Sequence, residues 1–255
     1  MADKKYNIAI LIDGDNAQAK LLKEIIEEVS KYGKATIRRI YGDWTSQVMN
    51  SWKPLINQHS INPIQKFSYT TGKNSTDGAL IIDAMDILHS KNVEGFCIVS
   101  SDSDYTGLAK RIREEGLFVM GIGEKKTPES FVQSCDIFTF TENLMPKVIV
   151  EEKISKPVAQ KTKSTNKTKS TSRKKKSFLS QKDAGTIDRA FNISTDENEI
   201  AHVSTIGINI RKIDPSFDTR EYNIQSLTKL FEKLEEYEVI RNEVGGINYP
   251  LIKRK

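Results

Sequence analysis

The sequence predicts an α/β amino-terminal part, built as a parallel sheet with helices on both faces, followed by a small carboxy-terminal winged helix-turn-helix. Three observations predict this. Ile8-Ala9-Ile10-Leu11-Ile12 and Phe96-Cys97-Ile98-Val99 are apolar runs without polar alternation, the pattern of central strands covered on both faces. Strand and helix patterns then alternate through about residue 143, which implies right-handed crossovers and parallel pairing. Beyond a polar, basic stretch, three helical patterns lead into a hairpin signal.

Taken in order, the first strand ends in Asp13-Gly14-Asp15-Asn16. A helix is expected over 17–32, where Leu21, Leu22, Ile25, Ile26 and Val29 recur at helical spacing and Gly33 is a plausible C-terminal stop. Residues 35–41 read as a second strand. Residues 52–59 read as a short helix with Pro54 in its first turn. Residues 61–67 read as a third strand, placed at an edge by Pro63. Ser75 or Thr76 can cap a helix running to about Ser90, with Leu80, Ile81, Ala84, Met85 and Leu88 on its buried face. The strand at 96–99 runs into Ser100-Ser101-Asp102-Ser103-Asp104. A helix over 105–115 ends at Gly116, a strand covers 117–123, and 129–134 and 137–140 read as a short helix and a last strand.

Residues 151–177 carry ten lysines and arginines against Glu151 and Glu152, a local charge of +8 that exceeds the whole-chain +5. With almost no apolar residues this segment cannot offset its ordering entropy, so it reads as a flexible spacer and a non-specific phosphate tether. The domains are therefore expected at 1–147 and 178–255, with a linker over 148–177. In the second, Ala184, Ile187, Ala190 and Phe191 mark one helix. Ser204 or Thr205 can start another that ends at Asp214-Pro215, and Leu227, Leu230, Phe231 and Leu234 line a third. Gly245-Gly246 between two β-rich stretches signals a hairpin.

Composition narrows the chemistry. Cys97 and Cys135 are the only cysteines and the three histidines form no HxxxH pair, so a disulfide framework and a zinc hydrolase are disfavoured and a reducing cytoplasmic setting is expected. The opening residues suit neither a signal peptide nor a membrane span.

Four carboxylates can converge. Asp13 and Asp102 end two central strands at the carboxyl edge of the sheet, where open α/β sheets bind ligands. Asp104 lies just beyond, and Asp77 sits in the first turn of the intervening helix. Crowded like charges are costly unless a cation neutralises them. Hard oxygen ligands suit Mg²⁺ or Mn²⁺, which can orient a water, lower its pKa and stabilise a phosphodiester under displacement. Asn16 and Ser101 can position phosphate or a water, and Lys73 can contact phosphate or be an ordinary loop lysine. Asp15 can join the site or cap the first helix. Asp83 should not share the face of Asp77 closely and is a candidate for a supporting role, with Asp86 a weaker one. Asp43 suits a turn. Trp44, Trp52, Phe67 and Tyr69 can stack on bases but suit packing better, and Cys97 suits the core.

Three motifs in order, Ile12-Asp13-Gly14-Asp15-Asn16, Lys73-Asn74-Ser75-Thr76-Asp77 with Asp83, and Ser100-Ser101-Asp102-Ser103-Asp104-Tyr105, resemble the NYN domain, a branch of the PIN-like ribonucleases. The resemblance covers about residues 6–143 and implies a PIN-like Rossmannoid sheet. Asp13, Asp77, Asp102 and Asp104 map onto the family's metal-binding acidic set, with Asn16 beside them. The family commonly has glycine at Ser101 and Asn74 and phenylalanine at Tyr105; none of these departures removes a carboxylate. Ile213-Asp214-Pro215-Ser216-Phe217-Asp218-Thr219-Arg220-Glu221-Tyr222 followed by Leu227-Thr228-Lys229-Leu230, with the final hairpin, resembles the OST-HTH or LOTUS domain over about 178–253. That family is associated with RNA and with partner proteins.

The expectation is a ribonuclease that uses Mg²⁺ or Mn²⁺ to cut single-stranded RNA internally, with an RNA-binding second module. No membrane is implied, and a protein partner or a homodimer is compatible with the sequence. Two rivals stand beside it: an RNA-binding regulator whose acidic site supports no turnover, and a haloacid dehalogenase-type phosphatase, since Asp13-Gly14-Asp15 mimics a D-x-D nucleophile motif. Ala17 departs from that second pattern.

Overall fold

The computed structural model describes residues 6–67, 75–145, 178–196, 199–244 and 247–255. In chain order the first part comprises β1 (Tyr6–Asp13), α1 (Leu22–Ser30), β2 (Gly33–Gly42), α2 (Lys53–Gln58), β3 (Asn62–Gln65), α3 (Ser75–Ser90), β4 (Gly95–Val99), α4 (Thr106–Glu114), β5 (Phe118–Gly123), α5 (Glu129–Ser134) and β6 (Ile137–Phe140). The six strands form one sheet in the order β3-β2-β1-β4-β5-β6, and every pairing is parallel. The fold of this part is α/β, a parallel sheet with helices on both faces, as expected.

The apolar runs explain the layering. Side chains alternate across a strand, so Ile8, Ile10 and Ile12 of β1 pack with α1, Met49 and Trp52 on one face. Ala9 and Leu11 pack with α3, α4 and Phe131 on the other. Both sets are buried, which is why β1 tolerates no polar alternation. The sheet places β3, with Pro63, at an edge as expected.

Gly33 does not stop α1. The helix ends at Ser30, and Gly33 opens β2 opposite Tyr6, where an added Cβ would lie 2.0 Å from the Tyr6 carbonyl oxygen. The glycine serves strand approach, not a helix C-cap. The helix also begins later than its apolar spacing suggests. The Asn16 and Ala17 amides turn back to the Asp13 carbonyl, and a 3-10 turn over Ala19–Leu21 precedes α1.

The second part comprises α6 (Gln181–Ser194), β7 (Ile200–His202), α7 (Val203–Ile213), α8 (Leu227–Lys233), β8 (Tyr237–Val244) and β9 (Ile247–Arg254). Its strands form an antiparallel sheet in the order β7-β9-β8, and Leu179, Ile187, Phe191, Ile206, Leu230, Phe231 and Ile252 fill its core. Ser180 and Ser226 cap α6 and α8 by accepting the amides of Asp183 and Lys229. Neither Ser204 nor Thr205 starts α7; His202 precedes its first residue and makes no side-chain cap. The hairpin β8–β9 pairs Val244 with Ile247, while Gly245-Gly246 and the expected linker lie outside the described residues. Among the described residues no helix is long and apolar enough to cross a membrane.

Candidate metal centre

β1 and β4 are neighbours in register, Ile12 facing Val99. Their next residues, Asp13 and Ser100, therefore emerge side by side at the carboxyl edge. Asp13 is wholly buried. Its Oδ2 accepts hydrogen bonds from Asn16 Nδ2 at 2.7 Å and Ser100 Oγ at 2.9 Å, whereas its Oδ1 is buried without a hydrogen-bond partner. Burial pushes the Asp13 carboxyl above its ordinary range, against the pull of Asn16 and Ser100, and the charge of Asp15 adds to the push.

Around this buried carboxylate the chain folds back twice. The Asp102 amide donates to Ser100 Oγ at 3.1 Å and the Asp104 amide to Asp102 Oδ1 at 3.0 Å, a local turn in which aspartate serves as its own backbone acceptor. From the first turn of α3, Asp77 accepts a hydrogen bond from the buried Tyr105 hydroxyl at 2.7 Å. One ligand atom each of Asp77, Asp102 and Asp104 lies within 4.8 Å of the others. Burial raises the Asp77 carboxyl, the Tyr105 hydrogen bond lowers it, and the charges of Asp13, Asp102 and Asp104 raise it again. The charges of Asp13, Asp102 and Asp104 thus act on Asp77 with its own sign.

The remaining candidates divide. Asp15 does not cap the first helix; it is exposed and accepts from Thr76 Oγ1 at 3.0 Å, tying the tip of β1 to the start of α3. Ser101 Oγ accepts the Glu124 amide at 2.9 Å, and Glu124 accepts Gln18 Nε2 at 2.8 Å. Asp83 is held by Arg39 and Tyr41, apart from the three converging aspartates. Asp43 accepts from the Thr45 amide and hydroxyl and from Gln65, as a turn residue should. Trp52 is buried with its Nε1 donating to the Gly14 carbonyl at 3.1 Å, and Trp44 donates to the Ile64 carbonyl; both rings serve packing. Phe67 is exposed, and Lys73 and Tyr69 lie outside the described residues. Gly14 is needed by close approach, since a Cβ there would lie 2.7 Å from the Tyr41 carbonyl oxygen.

Two side chains escaped the sequence reading. Ser100 bridges Asp13 and the Asp102 amide. Its place directly after the last residue of β4 was the available signal. The Tyr105 hydroxyl, which donates to Asp77, was the other.

The NYN domain model matches residues 7–144, just over half of the chain. The chain belongs to the NYN domain family. The OST-HTH/LOTUS domain model matches residues 169–249, after the NYN domain. An uncharacterized protein of Methanocaldococcus jannaschii is 25% identical over 129 residues, which cover 47% of this chain and 48% of that protein; the chain thus spans about half the length of this curated relative. A crystal structure of a protein of unknown function from Vibrio parahaemolyticus aligns with a TM-score of 0.45 at 18% identity, over 54% of this chain and 94% of that one. Family membership accounts for the Asp13-Gly14-Asp15 triplet without a phosphatase.

The residues present fit a hard divalent cation. The donor set is carboxylate oxygen with no cysteine or histidine, and the buried Asp13 Oδ1 lacks a partner, an arrangement that costs free energy until a positive group approaches.

Proposed function

We propose that the chain is a metal-dependent endoribonuclease acting on single-stranded RNA, with the OST-HTH/LOTUS module retaining the RNA. The observation that carries this reading is the crowding of Asp77, Asp102 and Asp104 beside the buried, half-satisfied Asp13. Asp13, Asp77, Asp102 and Asp104 would hold Mg²⁺ or Mn²⁺. When bound, the cation supplies positive charge against the negative charge that grows on a phosphodiester during displacement, and makes a water nucleophile accessible near neutral pH.

The chain's own groups have separate tasks in this reading. Ser100 and Asn16 hold Asp13 Oδ2, leaving Oδ1 for the cation. Tyr105 orients Asp77. Asn16 keeps a second N–H and an amide oxygen, and Ser101 keeps its hydroxyl proton, for a phosphate oxygen or a water. Lys73 contributes phosphate contact. Asp15 secures the start of α3 through Thr76, and Asp83 braces Arg39 and Tyr41 behind the site. Among the described residues no serine, threonine or cysteine is hydrogen-bonded to a histidine or lysine base, and this reading takes water as the attacking group.

The test is cleavage of a single-stranded RNA with Mg²⁺ or Mn²⁺, compared with the same reaction in chelator and with Asp13→Asn and Asp102→Asn. Both variants are expected to lose at least about a hundredfold in rate. Cleavage by both at the wild-type rate overturns the site. Undiminished RNA binding without cleavage in any divalent cation makes the protein an RNA-binding regulator instead.

A further inference from the structure

The OST-HTH/LOTUS module lies against the edge of the NYN sheet. β6 is an edge strand, and an edge presents unpaired N–H groups that proteins cover or blunt. Here the Phe138 amide donates to the Pro215 carbonyl of the second module at 2.9 Å. Beside it, the Arg220 guanidinium gives Glu28 of α1 two hydrogen bonds, at 2.9 and 3.0 Å, and also holds Asp218.

Glu28 is the informative residue. A glutamate on an amphipathic surface helix ordinarily faces water, yet the Glu28 side chain is only 4% exposed. Lys31 donates to it at 2.5 Å, but the bidentate partner comes from the other module. Without Arg220, a carboxylate buried by the interface would lose most of its compensation. Further contacts have the same complementarity of charge: Lys125 meets Glu221 at 3.4 Å, Lys182 meets Glu129 at 3.9 Å, and Arg211 lies over the Tyr32 ring at 5.8 Å. Lys125 follows Glu124, whose amide bonds Ser101, so the module reaches the rim of the sheet that carries the acidic cluster.

We propose that the OST-HTH/LOTUS module is locked onto the β6 edge of its own NYN domain in solution, with the Arg220–Glu28 pair as the lock, so that the two modules form one body. The occupant of this edge is the chain's own second module, selected by backbone pairing to Pro215 and by the bidentate cation for Glu28. The lock sets the position of the module relative to the acidic rim, whatever that rim does.

Amide hydrogen exchange on the full chain tests this, because the Phe138 N–H is protected by Pro215 only while the modules are docked. Exchange at Phe138 is expected to be slow in the wild type and at least about tenfold faster in Arg220→Gln, with the amides of Ile10 and Cys97 in the central strands unchanged as the folding control. In Glu28→Gln/Arg220→Gln, Phe138 should exchange more slowly than in Arg220→Gln alone, because the uncompensated buried charge is gone. Equal Phe138 exchange in wild type and Arg220→Gln overturns the lock. So does a double variant no slower than the single. Protection that grows with protein concentration assigns the contact to a second copy and overturns docking within one chain.

Discussion

The Tyr105 hydroxyl donates to Asp77 Oδ1 at 2.7 Å while its ring is wholly buried against the second face of the sheet. The ring belongs to packing and the hydroxyl to the acidic site, so the two can be separated experimentally. Tyr105→Phe keeps the ring and removes the hydrogen bond that orients Asp77. Affinity for Mn²⁺, followed by electron paramagnetic resonance titration, should fall about tenfold, the scale of lost outer hydrogen bonds at metal sites. Stability in chelator should change by only about 1 kcal/mol.

Asp13 presents the opposite balance. Its burial and its unpartnered Oδ1 oppose ionisation in the absence of a cation. Asp13→Asn should therefore raise the thermal midpoint measured in chelator, by roughly 1 kcal/mol of stability. In the proposed function Mg²⁺ or Mn²⁺ raises the wild-type midpoint through preferential binding to the folded state, and the same change should abolish that rise. Calorimetry with and without the metal ions reads both effects, and a variant less stable than wild type in chelator would contradict the account.

Glycines separate close approach from helix entropy. A Cβ at Gly33 meets the Tyr6 backbone at 2.0 Å, whereas one at Gly185, within α6, meets nothing within 4 Å. Gly33→Ala should destabilise by about 2 kcal/mol or more, because backbone must shift. Gly185→Ala should stabilise by about 0.5–1 kcal/mol through helix propensity. Urea denaturation of both variants checks the pair of signs.

In the second module Asp214 is buried and accepts from the Ser216 amide and hydroxyl, at 3.0 and 2.6 Å, and from Lys182 at 2.8 Å. Burial raises its carboxyl, but Lys182 and Ser216 outweigh it and hold it below its ordinary 3.8. A depressed carboxylate stabilises the fold above its unfolded value and loses that contribution as pH falls through the folded one. Asp214→Asn should thus cost about 1–3 kcal/mol near neutral pH, and the difference should shrink once the pH is below 3.8. Lys182 is raised above 10.5 by Asp214, so its share is present below 10.5 and is lost as pH rises through the folded value. Denaturation of wild type and variant across both ends of this range is the measurement.

The strands β1, β4 and β5 were legible in the chain because unbroken apolar runs leave no other low-energy placement than a doubly covered sheet. The acidic tips at Asp13 and Asp102 were legible because parallel strands bring their carboxyl ends to one edge. Helix α5 and strand β6 match their expected spans residue for residue. Strand β7 was missed, since three residues carry no periodicity and pair only because β9 is there. The task of Gly33 was misread for a similar reason: a glycine after a helical pattern looks like a C-cap, and only the approach of Tyr6 shows that a strand crossing needs it. The partners of Asp15 and Asp83 likewise lie 61, 44 and 42 residues away in the chain. The bidentate partner of the buried Glu28 is Arg220, 192 residues distant. Local pattern sets which segments must be covered and where charge collects. Which distant side chain meets each polar group is set only when the layers close, because hydrogen bonds depend on distances that spacing along the chain does not encode.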